Sequence, residues 1–384
     1  AGHGVDVVLV DKSAFPRAKV CGDGLTPRAV KQLIRLGIDI SDESSWPRNT
    51  GLRVYGGVFR PGNGLELPWP QLKEFPAFGL VKARKEFDWI LVRHAVAQGA
   101  RFFSGVDGLT CGIRAQVSVA ADGNSSRLAV AAGIRQDPRK PMGVAARAYY
   151  RSPKGDGDMI ESWLELRDGK TGELLPGYGW AFPLGDGRCN VGLGTLLPGG
   201  RRSRPGAGKA NTRELLGRWL ADTPGEWGFS CENQEGEIGS AALPMCLNRR
   251  PIYKDGLLLV GDAAGMVSPF NGEGIAYALE AASWAAEAIV DAKARGFGTP
   301  AAERALRSYP ARAQAEWSGY LRLGEVFAKL ITRPRVLRAC VRYGLPRPTL
   351  MRLTNKLLAH LYDQADGDWM DRAITLFTKL ASNG

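Results

Sequence analysis

The clustering of apolar residues along the chain predicts three strands that each run into an acidic or glycine-rich turn. VDVVLVD (5–11) carries an unbroken apolar stretch up to Asp11, as in a strand buried within a parallel sheet. VSVAADGNSS (117–126) predicts a strand that leads into a turn. GLLLVGDAAG (256–265) predicts another buried strand, which enters a glycine-rich turn. Strands of this kind, separated by helical patterns, are typical of an α/β fold.

Helical periodicity is clearest in two parts of the chain. Apolar residues recur from Phe87 to Ala95 at helical spacing, and Gly99 ends this helix before a short strand. From Ala301 onward the pattern is again helical, with apolar stripes faced by arginine and lysine. The roughly 130 residues between the second and third strands alternate between apolar and polar positions, which predicts an inserted antiparallel sheet.

One alternating segment of this insertion is unusually aromatic. LPGYGWAFPLGDGRCNVGLG (175–194) places Tyr178, Trp180 and Phe182 on one face of a strand, because alternate side chains of a strand share a face. Such a wall is either part of a sheet core or one side of a pocket for a long apolar molecule.

Taken together, these patterns predict an α/β chain with an α+β insertion. We expect a discontinuous domain at 1–50, 81–140 and 251–300, an inserted antiparallel β-sheet domain at 51–80 and 141–250, and a helical region at 301–384.

Composition narrows the class of protein. The 384 residues are 44% hydrophobic and 23% charged, as in a globular protein, and no apolar run is long enough to predict a membrane-spanning helix. The six cysteines form no CxxC pair, which predicts reduced thiols in the cytoplasm and no zinc site. With three histidines, the chain has little from which to build another metal centre or a Ser-His-Asp triad.

The net charge of +12 favours anionic partners. Part of the excess lies in GGRRSRPGAGKANTR (199–213), for which the glycine, proline and serine content predicts a mobile loop. The rest is concentrated in the C-terminal third. No RNA-binding signature or zinc finger is present, so we do not expect a nucleic-acid partner.

The start of the chain predicts a missing segment. In dinucleotide-binding folds an acid such as Asp11 binds a ribose, and a strand, a GxGxxG turn and a helix precede it to hold the pyrophosphate. The chain opens on Ala1 without a methionine, and no GxGxxG stands upstream of Asp11. We expect about 25 to 30 residues that carry this unit to be absent, since a βαβ unit needs about that length.

The most specific stretch is LLLVGDAAGMVSPFNGEGIAYALEAA (257–282). Asp262 can bind a hydroxylated chain, and Gly272 and Gly274 let backbone amides at a helix N-terminus approach a planar ring with partial negative charge. Here the sequence resembles the flavoproteins related to p-hydroxybenzoate hydroxylase, whose late GD motif binds the ribityl chain and flavin ring. AADGNSS (120–126) resembles their middle DG motif, and Arg84 matches the arginine before their FD helix.

One departure from that superfamily concerns the segment between the Gly99 turn and the DG motif. Ala121 follows Ala100 by only 21 positions, fewer than relatives usually have, so we expect a hairpin to be absent near 110–118.

Two further motifs resemble the geranylgeranyl reductase family in particular. RAKVCG (17–22) matches its R-x-K-x-C-G stretch, and Tyr178 to Gly194 matches its Y-x-W-x-F-P, eight residues, G-x-G pattern. LPGYGWAFPLG, EWGF, SAALPM and GDWM look more like the menaquinone-reducing members than the archaeal lipid reductases. The resemblance covers nearly the whole chain, and it implies a Rossmann-like FAD-binding domain with a substrate domain inserted in it.

The resemblance also implies an activity: saturation of C=C double bonds in a polyprenyl chain by FAD, with NAD(P)H or another reductant as electron donor. The resemblance implies menaquinone as the first candidate substrate, followed by geranylgeranyl diphosphate or a geranylgeranylated lipid. The residues expected to bind the cofactor are Asp11, Lys12, Arg17, Cys21, Gly22, Arg84, Asp122, Gly123, Gly261, Asp262, Pro269, Gly272, Gly274 and Ile275. Those expected to contact the substrate are Tyr178, Trp180, Phe182, Gly192 and Gly194, and those expected to act in catalysis are Cys21, Tyr178 and Trp180.

The proton donor stays open among Cys21, Tyr178 and an ordered water. A free cysteine is usually a small buried hydrophobe, yet Cys21 is flanked by Arg17, Lys19 and glycines, an electropositive setting that can activate a thiol.

Two alternatives belong to other functional classes. An FAD monooxygenase or halogenase that acts on an aromatic natural product would use the same scaffold, but the related W-x-W-x-I-P strand of halogenases is altered here at Tyr178 and Phe182, and no catalytic lysine can be assigned. A basic membrane-binding module without enzymatic activity would leave the flavin motifs without a role.

For the reductase we expect a cytoplasmic protein attached peripherally to the anionic inner face of the cell membrane. The helix at 350–361 would present leucine and methionine on one face, with Arg352 and Lys356 available to headgroups. The alternative is that this helix packs on the FAD domain.

Overall fold

The computed structural model describes residues 1–169, 171–197 and 207–383. Most of the predicted basic loop at 199–213 lies outside these residues. Its last part is helical and not a loop, because a helix that begins at Ala207 continues to Ala221. The strands are β1 (Val8–Asp11), β2 (Gly24–Leu25), β3 (Arg48–Asn49), β4 (Gly51–Tyr55), β5 (Leu65–Pro68), β6 (Gly79–Val81), β7 (Arg101–Ser104), β8 (Ser118–Ala120), β9 (Met142–Arg151), β10 (Ile160–Trp163), β11 (Gly177–Pro183), β12 (Arg188–Leu196), β13 (Gln234–Pro244), β14 (Tyr253–Lys254) and β15 (Leu257–Leu259).

The helices divide into those that precede Ser308 and those of the C-terminal region. The first set is α1 (Pro27–Arg35), α2 (Arg84–Ala97), α3 (Arg127–Ala131), α4 (Ala207–Ala221), α5 (Ile275–Ala294) and α6 (Pro300–Leu306). The second set is α7 (Ser308–Ile331), α8 (Pro334–Ala339), a π-helix at Cys340–Gly344, α9 (Pro348–Leu358) and α10 (Trp369–Asn383). This mixture of helices and sheets confirms the predicted α/β class.

The predicted buried strands form two separate parallel pairs. β1 pairs with β7, and β8 pairs with β15, which also carries β14 at its other edge. Among the described residues, β1 makes no strand pairing with β8 or β15. Between β7 and β8 the described chain forms turns and no strand, so the segment near 110–118 contains no hairpin.

The inserted sheet has the strand order β13-β9-β12-β11-β10-β4-β5, and all its strands lie within 51–80 and 141–250. It is not purely antiparallel as predicted, because β4 and β10 are parallel neighbours. The reason is their connection: β4 and β10 are joined by a long excursion through the rest of the fold and not by a hairpin, and parallel neighbours require such a crossover. The aromatic segment forms β11, near the middle of this sheet.

The alanine-rich helix α5 is the centre of the largest core. Its small side chains Ala281, Ala285, Ala288 and Ala292 are buried against α6 and α7. Small residues let the helices approach closely, and the large rings of Trp317 and Tyr277 fill the space beside them. The first turn of α5 is thereby held at a fixed place beside the glycine-rich turn that follows β15.

The C-terminal helices do not all present their basic face to solvent as predicted. Lys356 on α9 is 7% exposed, and its Nζ lies 3.0 Å from Asp368 and 2.6 Å from Asp371. The expectation that Lys356 is available to headgroups is therefore wrong, because these two carboxylates from the segment before and within α10 bind it in the interior. Arg352 is exposed. No described helix combines the length and apolar character needed to cross a bilayer.

Candidate active site

A single cavity of about 1050 Å³ connects the motifs identified in the sequence. One end is formed by the turn after β15 and by the segment 19–26. One wall is the aromatic face of β11, and α7, the π-helix and α9 supply further lining. Most of the lining is apolar, so the interior suits a long hydrocarbon chain and holds few groups that would retain water.

The glycine-rich turn brings backbone amides to the cavity. Gly261 and Gly272 have φ of +57° and +76°, a left-handed conformation that favours glycine. Gly274 is the N-cap of α5, and no side chain caps this helix end. The positive end of the helix dipole and its uncapped N–H groups therefore face the cavity, as required for the electron-rich edge of a flavin ring. Pro269 and Ile275 also line the cavity here.

Asp262 lies beside this turn. Its carboxylate lies 3.4 Å from Nζ of Lys19, and a Cβ atom added to Gly274 would approach its Oδ1 to 3.4 Å. The carboxylate keeps partial access to the cavity, with 26% of the side chain exposed. It is thus placed to accept hydrogen bonds from a hydroxylated chain such as the ribityl group of FAD.

A chain of ion pairs runs from the end of β1 to α2. Asp11 accepts a hydrogen bond from Arg17 Nε at 3.1 Å, and Arg17 also contacts Asp88 at 2.9 Å. Asp88 in turn binds Arg84 at 2.7 Å. Arg17 and Arg84 line the cavity, whereas Asp11 does not. Lys12 also lies outside the lining.

The structure separates the two residues of the middle DG motif. Asp122 accepts hydrogen bonds from Ser126 Oγ at 2.6 Å and from Leu128 N at 3.1 Å, so its carboxylate stabilises the start of α3. It does not line the cavity. Gly123 does line it, with a φ of +79° that favours glycine.

The two family motifs pack directly against each other. A Cβ atom on Gly22 would lie 3.2 Å from Phe182 Cε2 and 3.5 Å from Trp180 Nε1. Cys21, which precedes it, lines the cavity, and its Sγ accepts a hydrogen bond from the backbone N–H of Asp23 at 3.3 Å. The R-x-K-x-C-G turn therefore lies between the aromatic wall and the glycine-rich turn.

The aromatic wall is a row of neighbouring rings. Tyr178 and Phe182 each have their ring centroid 6.1 Å from that of Trp180, and all three residues line the cavity. Trp180 donates a hydrogen bond to Asn190 Oδ1 at 3.0 Å, which fixes the plane of its indole. Gly194 lines the cavity, whereas Gly192 lies beneath Trp180 and does not.

A buried network that sequence reasoning missed supports this wall. Asp23 is fully buried and accepts hydrogen bonds from Tyr149 Oη at 2.6 Å and from Asn190 Nδ2 at 2.7 Å. Burial raises the pKa of its carboxyl group above the usual value. Asn190 also donates to the carbonyl oxygen of Cys21 at 2.9 Å. In the sequence, the only sign of this network was an acidic residue between two glycines in CGDG (21–24).

Glu273, within the NGEG turn, was also missed. It lines the cavity and accepts a 2.5 Å hydrogen bond from Thr26 Oγ1. Burial raises the pKa of its carboxyl group from 4.5 to about 7, although the hydrogen bond from Thr26 opposes this. The Tyr178 hydroxyl, in contrast, donates to the carbonyl oxygen of Asn271, and burial raises its pKa further above the ordinary value.

Comparison with known proteins agrees with the geometry. No family model matches the chain. It is 35% identical over 395 aligned positions to the menaquinone reductase of Mycolicibacterium smegmatis, with 97% of this chain and 90% of that protein covered. It is 29% identical over 318 positions to digeranylgeranylglycerophospholipid reductase 1 of Methanopyrus kandleri, with 76% of each chain covered.

Solved structures share the fold. A geranylgeranyl bacteriochlorophyll reductase-like protein from Thermoplasma acidophilum superposes with a TM-score of 0.72 at 20% identity, over 94% of this chain and 91% of that one. The flavin-dependent brominase Bmp2 superposes with a TM-score of 0.66 at 19% identity, over 99% and 93%. Together with the sequence identity to the reductases, the motifs establish that the chain belongs to the geranylgeranyl reductase family of FAD-dependent oxidoreductases.

Proposed function

We propose that this oxidoreductase saturates C=C double bonds in a polyprenyl chain, and that its substrate is menaquinone. The observation that carries the proposal is the apolar cavity, which runs from the glycine-rich turn along the aromatic wall of Tyr178, Trp180 and Phe182 to the C-terminal helices. A polyprenyl chain is long, flexible and apolar, and this shape matches it. The similarity to the Mycolicibacterium smegmatis menaquinone reductase supports menaquinone over the diphosphate or lipid alternatives.

The residues at the glycine-rich end fit FAD. Gly272, Gly274 and the first turn of α5 would bind the ring edge, and Asp262 would bind the ribityl hydroxyl groups. Arg17 and Arg84 supply cations for the phosphates at the same end of the cavity. When bound and reduced, the flavin supplies the hydride for one alkene carbon.

The protein must exclude water and hold the alkene still. Trp180 is fixed by its hydrogen bond to Asn190, and Phe182 packs on Gly22, so the wall presents a rigid surface to the substrate. Rigid apolar contacts hold a flexible chain in one orientation at lower entropic cost than mobile ones. The remaining lining from the C-terminal helices, including Leu337, Val341, Leu345 and Met351, covers the rest of the chain.

The second alkene carbon requires a proton, and we assign its donation to Glu273. A carboxyl group with a pKa of about 7 keeps its proton in about half of the molecules at pH 7 and releases it more readily than a tyrosine does. The hydroxyl of Tyr178 is already committed to the Asn271 carbonyl. The proton from Glu273 and the hydride together replace the π bond by two C–H bonds, and the carboxylate regains a proton from solvent.

The monooxygenase or halogenase alternative fits the lining less well. Of the lysines in the described part of the chain, only Lys19 lines the cavity, and its ammonium group lies beside Asp262 at the cofactor end. A lysine free to act on an oxidised halide is therefore not found within the described lining. Similarity in fold to a brominase shows the scaffold alone.

The decisive experiment is anaerobic turnover of dithionite-reduced enzyme, with dithionite in place of the physiological donor, which we propose to be NAD(P)H or another reductant. Menaquinone and geranylgeranyl diphosphate are offered separately and analysed by mass spectrometry. We expect a two-hydrogen mass gain on menaquinone. A gain on geranylgeranyl diphosphate alone would reassign the substrate, and oxygen-dependent NAD(P)H consumption with no mass gain on either would favour a monooxygenase.

Trp180→Ala provides the matched variant for this assay. The ring should contact the prenyl chain and not the cofactor, so long-chain turnover should fall while flavin binding and reduction stay unchanged. Loss of a large aromatic contact costs on the order of a few kcal/mol. Equal loss of flavin binding would place Trp180 in a shared core and remove it from the substrate site.

A further inference from the structure

Six exposed arginines lie between the end of α7 and the middle of α9, a stretch whose inner residues line the cavity. We call them the arginine rim: Arg333, Arg335, Arg338, Arg342, Arg347 and Arg352. The sequence has no aspartate or glutamate between Val326 and Tyr362. None of the six forms an ion pair with any described residue.

The rim stands beside a place where the cavity reaches the surface. Cys340 and Leu350 line the cavity and are also exposed to solvent. Arg335, Arg338 and Arg342 follow at spacings of three and four, so they share the outer face of α8 and the π-helix. The inner face, with Val341 buried, lines the cavity. Basic outer and apolar inner faces therefore meet at the mouth.

Apolar side chains are exposed among the arginines. Tyr343 is 60% exposed, Leu350 is 43% exposed, and Leu330 at the end of α7 is 41% exposed. Cations interleaved with exposed aromatic and aliphatic groups match a lipid headgroup region, where arginine meets phosphate and the apolar groups reach the acyl boundary. Nucleic acid would satisfy the arginines, but it would leave Leu330 and Leu350 in water.

We propose that the arginine rim is a docking surface for an anionic phospholipid bilayer, which seats the cavity mouth against the acyl chains. A long apolar substrate would then enter the cavity without crossing water. The entry route rests on the proposed function, whereas the docking surface rests on the charges and exposed residues alone. The rim also differs from the membrane face expected from the sequence: Arg352 is retained, and the buried Lys356 is replaced by the arginines of α8 and the π-helix.

The test is co-sedimentation of the full chain, loaded with FAD and without substrate, on vesicles of phosphatidylcholine alone and of phosphatidylcholine with phosphatidylglycerol. We expect binding to the anionic vesicles only, weakening as salt is raised, because screening shortens the reach of the charges to about 8 Å at physiological ionic strength. Each arginine near the surface contributes roughly a five-fold gain in affinity. Arg335→Gln with Arg342→Gln should therefore weaken binding about 25-fold.

The matched control is Arg93→Gln with Arg304→Gln, which removes the same charge from exposed positions on α2 and α6. This control should bind anionic vesicles as the unmodified protein does. Equal losses in the two double variants would show that net charge, and not the rim, drives binding. Equal pelleting with neutral and anionic vesicles, none with either, or binding of a single-stranded oligonucleotide in place of vesicles would overturn the proposal.

Turnover of detergent-solubilised menaquinone separates this proposal from the proposed function. The rim variant should retain activity in detergent and lose it when menaquinone is presented in vesicles. Loss of vesicle binding without any change in vesicle turnover would disprove the entry route. Absence of turnover in both formats by the unmodified protein would count against the substrate assignment while leaving the vesicle binding result intact.

Discussion

Gly192 lies directly beneath the indole of Trp180: a Cβ atom at position 192 would come within 2.5 Å of Trp180 Cζ2 and 2.5 Å of the Ala146 carbonyl oxygen. The second glycine of the G-x-G pattern is different, since a Cβ atom on Gly194 would meet its nearest neighbour at 3.8 Å. Glycine therefore stands at these two positions of one motif for different structural reasons. Gly192 makes room for the ring, and Gly194 forms part of the cavity surface.

We predict that Gly192→Ala displaces Trp180 and destabilises the protein by about 1–3 kcal/mol, as overpacking of a filled site does. Gly194→Ala should keep the melting temperature of the unmodified protein. Thermal unfolding and near-ultraviolet circular dichroism, which reports indole packing, measure both. An unchanged spectrum and melting temperature for Gly192→Ala would mean that the sheet adjusts without moving the ring.

Asp262→Ala should lose FAD, because the carboxylate lies at the cavity beside the glycine-rich turn. Loss of a hydrogen bond to a charged group costs about 1.5–3 kcal/mol, or roughly 10- to 100-fold in affinity. Asp122→Ala is the matched control. Its carboxylate binds Ser126 and the α3 backbone, so this variant should lower stability and retain flavin. The ratio of flavin to protein absorbance decides, and stoichiometric FAD in Asp262→Ala would contradict the ribityl assignment.

Local patterns were enough to predict much of the fold. β1, α2 and α5 are specified by continuous or periodic apolar residues and by glycines at their ends, and these signals act within a few residues. The parallel pairing of β4 with β10 depends on contacts between residues about 108 positions apart. No local pattern records such a pairing, and the inserted sheet was therefore predicted to be antiparallel throughout.

Local sequence patterns also could not predict the surroundings of two polar residues, Lys356 and Glu273. Lys356 has the spacing of a solvent-facing cation on an amphipathic helix, and its burial follows from Asp368 and Asp371, which only the tertiary packing of α10 brings near. Glu273 stands between glycines in a turn, where a polar residue is usually solvated. Its partial burial in the cavity wall follows from Thr26 and the segment around it, about 250 positions earlier in the chain.

Cys21→Ser should bind FAD normally and reduce the prenyl substrate more slowly, because its side chain lines the cavity beside the aromatic wall, where a hydroxyl group would replace the less polar thiol. Cys21 lines the cavity and is partly exposed there, and a serine hydroxyl can still accept the hydrogen bond from the Asp23 backbone. The structure should therefore tolerate the change. Melting temperature and the rate per flavin-loaded molecule are compared. A large loss of stability with an unchanged rate would instead identify Cys21 as a buried hydrophobe without a role in turnover.

The raised pKa of Glu273 should make the stability of the folded protein depend on pH in a specific way. Its carboxyl pKa is raised by burial from 4.5 to about 7 in the folded protein. Below pH 4.5 the group is protonated in the folded and unfolded states alike and contributes no difference. Between pH 4.5 and 7 only the unfolded state ionises, so folding becomes less favourable by about 3 kcal/mol, and above pH 7 the loss levels off.

Glu273→Gln cannot ionise, so the free energy of unfolding of this variant minus that of the unmodified protein should rise by about 3 kcal/mol between pH 4.5 and 7 and then stay constant. Taking this difference removes the contributions of other titrating groups, including Asp23. Urea unfolding at pH 4.5, 6, 7 and 8 measures this difference.

The proposed role of Glu273 as proton donor leads to a second prediction for the same variant. Prenyl reduction by the unmodified enzyme should decline above pH 7, while Glu273→Gln should be slow at every pH with FAD still bound. A difference in unfolding free energy that does not change with pH would show that Glu273 is solvated, and undiminished turnover by Glu273→Gln would assign the proton to another group.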